Sequence, residues 1–142
     1  MGSGLERIPS SQLAIKSIGL RDAGVAEAVI LRLRDHGVQR DRIRLITWLE
    51  EYGPHFSDYD QIDIALDSTP YAGTTTTCEA MWMGVPVVTL LADQPANRVG
   101  ASLLTQVGHP EWMANTDQEF VRIASDLASD VQSLDHLRQN LR

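Results

Sequence analysis

The residues best placed to do chemistry lie between Asp67 and Glu79. There an apolar run ends, the chain turns through Pro70 and Gly73, and four threonines, Thr74 to Thr77, lead into a helical pattern. The first turn of a helix leaves backbone N–H groups without intrahelical partners, and the aligned peptide dipoles make that end positive. The unpaired N–H groups at such an end would suit an anion, phosphate above all, with the hydroxyls of Thr74 and Thr75 on the preceding turn free to face it. The plainer reading is that the threonines cap and solvate the helix, because Thr76-Thr77-Cys78-Glu79 has the spacing of a capping box with Thr76 as the cap. Residue types alone leave both readings open.

Glu79 has two competing duties. Three residues after Thr76, it would reach back to the helix start; as a ligand group, it would accept hydrogen bonds from two ribose hydroxyls. Among the four histidines, His55 stands in a loop at the presumed ligand edge and suits a phosphate or sugar. His36 precedes a helix stop, His109 sits in a turn and His136 on the terminal helix, where surface roles are expected. Cys78 reads as a buried small hydrophobe, and Met81, Trp82 and Met83 as core. Neither a Walker lysine motif nor a Gly-x-Gly-x-x-Gly fingerprint occurs, which disfavours P-loop NTPases and ordinary dinucleotide enzymes. The chain also lacks His-Glu-x-x-His, paired Cys-x-x-Cys and an Asp-rich calcium loop, so no metal is expected.

These residues need elements to hold them. Leu13 to Ile15 form a short apolar run read as a strand, and Asp22 caps a helix that Gly37 stops. Ile43 to Ile46 make a second strand, Ile62 to Leu66 a third ending in Asp67, and Pro86 to Leu90 a fourth. The last of these is almost wholly apolar, as in a parallel sheet covered on both faces. Gly84 ends the helix that follows the threonines. Further helices carry Val99, Leu103 and Leu104; begin at the capping box Thr116-Asp117-Gln118-Glu119; and run from about Asp130 through Leu134, Leu137 and Leu141. Strands alternating with helices imply right-handed βαβ units, hence a three-layer, Rossmann-like α/β domain with a mostly parallel sheet. In such sheets ligands sit beyond the carboxyl ends of the strands.

Composition bounds the rest. The 142 residues suit one domain, and 43% hydrophobic and 22% charged residues exclude a disordered chain. No apolar run approaches the roughly 18 residues of a membrane span, and one cysteine builds neither an intramolecular disulfide nor a cysteine zinc site. A cytoplasmic protein is expected. The net charge of −7 divides unevenly: residues 1–49 carry +3, residues 50–142 carry −10, and Lys16 is the sole lysine. That sign over two thirds of the chain disfavours nucleic-acid binding. Arg40, Arg42 and Arg44, spaced around Ile43 and Leu45, read as the solvent edge of a strand and its approach.

Four motifs carry a resemblance: residues 62–67 (IDIALD), 70–80 (PYAGTTTTCEA), 82–89 (WMGVPVVT) and 98–104 (RVGASLL). In this order they resemble the C-terminal part of the peptide O-linked N-acetylglucosaminyltransferases and their SPINDLY-like relatives, from about Ser10 onward. The resemblance implies a two-lobed GT-B glycosyltransferase, usually preceded by tetratricopeptide repeats, that transfers N-acetylglucosamine from UDP-N-acetylglucosamine to Ser or Thr of proteins. Residues 10–142 would be the donor-binding lobe of a larger enzyme and inactive alone, with residues 1–9 a cloning scar and linker. Thr75 and Thr76, with Gly73 and Thr74 beside them, would bind the donor diphosphate; Glu79 would hold the ribose and His55 lie against the nucleotide. The family needs no obligatory metal. The phosphate-binding lysine that family members place upstream of Gln12 to Ser17 is absent, and Glu79 and Thr74 stand where some animal members have aspartate and histidine. An O-fucosyltransferase using GDP-fucose, or a non-catalytic nucleotide-sensing or protein-interaction domain, is the alternative.

Overall fold

The computed structural model describes residues 2–47, 56–67, 69, 72–91 and 98–141. The chain divides into two compact units, Met1–His55 and Phe56–Arg142. Among the described residues no helix is long and apolar enough to cross a membrane.

In the first unit, α1 (Gly2–Arg7) precedes β1 (Leu13–Lys16), α2 (Ala23–Asp35) and β2 (Ile43–Ile46). β1 and β2 pair in parallel, Leu13 opposite Ile43 and Lys16 opposite Ile46, with α2 between them in the chain as the crossover. Asp22 starts α2 as expected, its Oδ1 accepting from the Val25 N–H at 3.1 Å. Gly37 stops the helix at φ +83°, a left-handed conformation that favours glycine. Ile30, Val38 and Ile43 form the core, with Leu5, Leu33 and Leu45 against them. Residues 1–9, expected to be scar and linker, thus include α1, whose Leu5 packs on that core.

The arginines expected at a solvent edge divide. Arg44 is exposed, but the Arg42 guanidinium donates to the carbonyls of Leu5 (2.9 Å), Ile8 (2.8 Å) and Ser11 (2.8 Å) and to the Ser11 hydroxyl (2.8 Å). A rigid fork of five donors suits that task, and it ties the stretch after α1 to the start of β2.

In the second unit, β3 (Ala65–Asp67), β4 (Val87–Leu90) and β5 (Met113–Ala114) lie in the order β3-β4-β5, all parallel. α3 (Thr75–Trp82) connects β3 to β4, and α4 (Arg98–Gln106) connects β4 to β5; α5 (Asp117–Ser129) and α6 (Val131–Asn140) follow. β3 starts three residues later than the apolar run suggests. Ile62 instead closes a 3-10 turn over Asp58–Gln61, its N–H bonded to the Tyr59 carbonyl, and Arg138 donates to the carbonyls of both Tyr59 and Ile62. β5 is two residues long, too short to show a period.

β4 runs through the core: Val87 and Val88 are buried with Val85, Leu104, Trp112, Ala114, Phe120 and Ile123. The expected α/β class with parallel sheets holds. Gly84, at φ +78°, ends α3 as expected, and a Cβ there would collide with the Arg138 carbonyl oxygen. Trp82, expected in the core, is 75% exposed, whereas Met81 is buried. Cys78, expected to be buried, is also exposed. The inward face of α3 is Thr77, Ala80 and Met81, and Cys78 and Trp82 fall on the other side of the same helical period.

Candidate functional site

The carboxyl end of β3, the start of α3 and the start of α4 converge on one side chain, Asp67, which is only 9% exposed. Its Oδ1 accepts from the Gly73 N–H at 2.6 Å and its Oδ2 from the Thr89 hydroxyl of β4 at 3.3 Å. A Cβ on Gly100, in the first turn of α4, would come within 2.8 Å of Asp67 Oδ2 and of both Thr89 Oγ1 and Cγ2. Glycine is therefore what lets that turn close on the pair. Burial pushes the Asp67 carboxyl above the ordinary aspartate value, and the hydrogen bonds from Gly73 and Thr89 offset only part of that rise.

Gly73 itself is hemmed in. A Cβ there would meet Thr76 Oγ1 at 2.5 Å and Thr77 Oγ1 at 2.7 Å. The Thr77 hydroxyl donates back to the Gly73 carbonyl at 2.9 Å, and the Cys78 N–H bonds to the Thr74 carbonyl. Those two bonds wind the first turn from Thr74, so α3 begins at Thr75 with Thr74 as its N-cap. This corrects the expectation of Thr76 as the cap. Thr76 is the second helical residue, and Thr74 makes no side-chain capping hydrogen bond. The N–H groups of Thr75, Thr76 and Thr77 have no intrahelical partner by helix geometry, and the hydroxyl-bearing residues Thr74, Thr75 and Thr76 are exposed around them.

Among the described residues Glu79 is met by Tyr59. Its Oε2 accepts from the Tyr59 hydroxyl at 3.4 Å, and the same hydroxyl lies 3.4 Å from the Thr76 carbonyl oxygen. Burial first, then the charge and hydrogen bond of Glu79, then the charge of Asp58, push the Tyr59 phenol up to about 12. Tyr59 stays a neutral donor that orients the carboxylate.

The structure thus brings Gly73, Thr74, Thr75, Thr76 and Glu79 together at one helix end, while His55 lies outside the described residues. Among the described residues no group of three or more His, Cys, Asp or Glu could hold a metal ion. Asp67, Tyr59, Thr89 and Gly100 are the members that the sequence reading of the site missed. One signal was available for Asp67: an acidic residue closing an apolar strand, six residues ahead of a turn glycine. Nothing local marks Thr89 or Gly100.

Other proteins carry the same arrangement of sequence. The chain is 41% identical over 135 residues to a barley (Hordeum vulgare) protein described as a probable UDP-N-acetylglucosamine–peptide N-acetylglucosaminyltransferase SPINDLY, covering 95% of this chain and 14% of the relative. It is 39% identical, over the same share of the chain, to the Arabidopsis thaliana protein of that description, of which it covers 15%. It superposes with a TM-score of 0.93 and 36% identity on a mutant of the Thermobaculum terrenum O-GlcNAc transferase, over 99% of this chain and 27% of that one. The chain therefore spans about a seventh of the curated relatives it matches and about a quarter of the solved enzyme. The description of glycosyl transferase family 41 matches residues 4–142, and to that family the chain belongs.

Proposed function

We propose that this chain supplies the donor-binding lobe of a protein O-glycosyltransferase, which moves N-acetylglucosamine from UDP-N-acetylglucosamine to Ser or Thr of a protein. The observation that carries the reading is the start of α3: a helix end whose N-cap Thr74 makes no side-chain capping hydrogen bond, with the Gly73 amide turned toward Asp67 and three exposed threonines around it. The plant relatives are described as using the same donor, UDP-N-acetylglucosamine, with a peptide as acceptor.

In the reaction an acceptor hydroxyl attacks the anomeric carbon, the bond from that carbon to the β-phosphate oxygen breaks, and the nucleoside diphosphate leaves with the electron pair. The charge on the departing oxygen is what a positive helix end stabilises. The N–H groups of Thr75 and Thr76 and the hydroxyls of Thr74, Thr75 and Thr76 would hold the diphosphate. Glu79, oriented by Tyr59, would accept from the ribose hydroxyls. His55 against the nucleotide rests on the resemblance alone, as do the tetratricopeptide-bearing parent and its cytoplasmic setting.

Titrating UDP and GDP separately into the chain, with amide NMR as the readout, tests this. UDP is expected to move the amides of residues 73–79 and to bind more tightly than GDP. Amides that stay fixed with both nucleotides would sink the site, and a preference for GDP would reassign the donor.

A further inference from the structure

We propose that Asp67 is a positioning residue: its buried carboxylate clamps the Gly73 turn and keys the start of α3 to β4 and to the first turn of α4. The inference rests on the donor-site reading above and goes beyond it by assigning that site a support that no ligand contact requires.

The geometry leaves little room for another duty. A carboxylate taken out of water must be met by donors, and the Gly73 N–H at 2.6 Å and the Thr89 hydroxyl at 3.3 Å occupy one oxygen each. Thr89 is fully buried in the central strand, so the Oδ2 end is anchored in the core of the unit. Gly100 closes over the same oxygen, where any Cβ would intrude. The Oδ1 end therefore reaches out from a fixed base to a backbone amide in a turn. Holding that amide fixes the Gly73 carbonyl, which accepts the Thr77 hydroxyl, and so sets the pitch at which the first turn of α3 begins.

A short chain of contacts results, from β4 through Thr89, Asp67 and Gly73 to Thr77. Without it the Gly73 turn would be free to rotate, and the α3 amides would lose their common aim. Preorganised donors are worth far more than donors that must be gathered on binding.

The test measures UDP affinity by calorimetry and amide hydrogen exchange at Gly73 and Val88, on the parent chain and three variants. Asp67→Ala is expected to weaken UDP about tenfold and to speed Gly73 exchange by at least as much, with Val88 protection unchanged. Asp67→Asn keeps an oxygen for the Gly73 N–H and offers an amide to the Thr89 hydroxyl, so it should stay within about threefold of the parent in both readouts. Thr89→Val removes one anchor and should cost about threefold in each.

Asp67→Ala with parent-like affinity and Gly73 exchange overturns the proposal. So does an Asn variant as impaired as Ala, with Val88 protection falling in step, since the residue would then merely support the fold. Should Asp67→Ala fail to fold, Thr89→Val decides: parent-like values in both readouts overturn the clamp. If UDP moves no amide of the parent, the donor-site reading fails, and Gly73 exchange alone still confirms or refutes the clamp.

Discussion

Two helices of the second unit begin with the same pattern, a threonine followed three residues later by glutamate, and they begin differently. At α5 the Thr116 hydroxyl accepts from the Glu119 N–H at 3.1 Å, and Glu119 reaches back to the Asn115 N–H at 2.8 Å and its side-chain amide at 3.2 Å. That end is closed on itself. At α3 the pattern Thr76-x-x-Glu79 is bypassed: the helix starts two residues earlier than that pattern requires, Thr74 caps nothing with its side chain, and Glu79 accepts from Tyr59. A capping box needs its threonine to be outside the helix with extended backbone. Thr116 has that conformation, at φ −137° and ψ 157°. Thr76 lies inside the first turn because Gly73, pinned by Asp67, and the Thr77-to-Gly73 bond wind the helix from further back. The same four-residue signature thus caps one helix and, at the other, falls inside the first turn, whose N-cap Thr74 makes no side-chain capping hydrogen bond. What separates them is a carboxylate on a neighbouring strand.

The contrast is broken most severely from beneath. Gly100→Ala would press a methyl into the Asp67–Thr89 pair; alanine's better helix propensity recovers about 1 kcal/mol, but overpacking and the disturbed hydrogen bond outweigh it. A net loss of about 1–3 kcal/mol is expected in denaturant unfolding, together with loss of UDP-dependent amide shifts. The next effect is on the caps themselves. Thr116→Ala should cost about 1 kcal/mol, whereas Thr74→Ala should stay within about 0.5 kcal/mol and act on UDP affinity instead. Equal stability losses at the two sites would erase the distinction.

A subtler change separates the two glutamates. Glu79→Gln removes a charge beside Tyr59, so the phenol should fall from about 12 yet stay above the ordinary tyrosine value, because burial is the larger cause. Titration of the Tyr59 ring signals by NMR reads this directly.

Smallest is the pH dependence, whose sign differs between the two ends. The Asn115 backbone and side-chain hydrogen bonds hold Glu119 below the ordinary glutamate value. Its contribution is therefore present above that ordinary value and is lost as pH falls through the lowered one. Asp67 is raised by burial, so its protonation favours the fold: that contribution is complete below the ordinary aspartate value and fades as pH rises through the raised one. Unfolding of Glu119→Gln and Asp67→Asn against the parent across the acid range should show differences trending in opposite directions.

Local signals were legible wherever one short stretch supplies both partners of a contact. Asp22 with Val25, Thr116 with Glu119, and the glycine stops at Gly37 and Gly84 were all readable, because each depends on a few adjacent residues and a backbone conformation that glycine or a short polar side chain favours. The α3 face was not. Its stretch from Thr75 to Trp82 is apolar or small on most sides, so helical period alone could not say that Met81 turns in and Cys78 and Trp82 turn out. The sheet to which α3 is attached settles that. Likewise a two-residue strand such as β5 has no period to read, and it exists because β4 offers it a ladder.

By itself the amino-acid order determined the alternation of strands and helices, the family motifs, and the placing of Gly73, Thr74, Thr75, Thr76 and Glu79 near one helix start. Only the tertiary structure decided how that start is used. Asp67, Thr89 and Gly100 are six or more residues away from Gly73 along the chain, and their effect on it is a matter of hydrogen bonds and of excluded volume. Such contacts depend on where strands and helices meet, which no local pattern of residue types encodes.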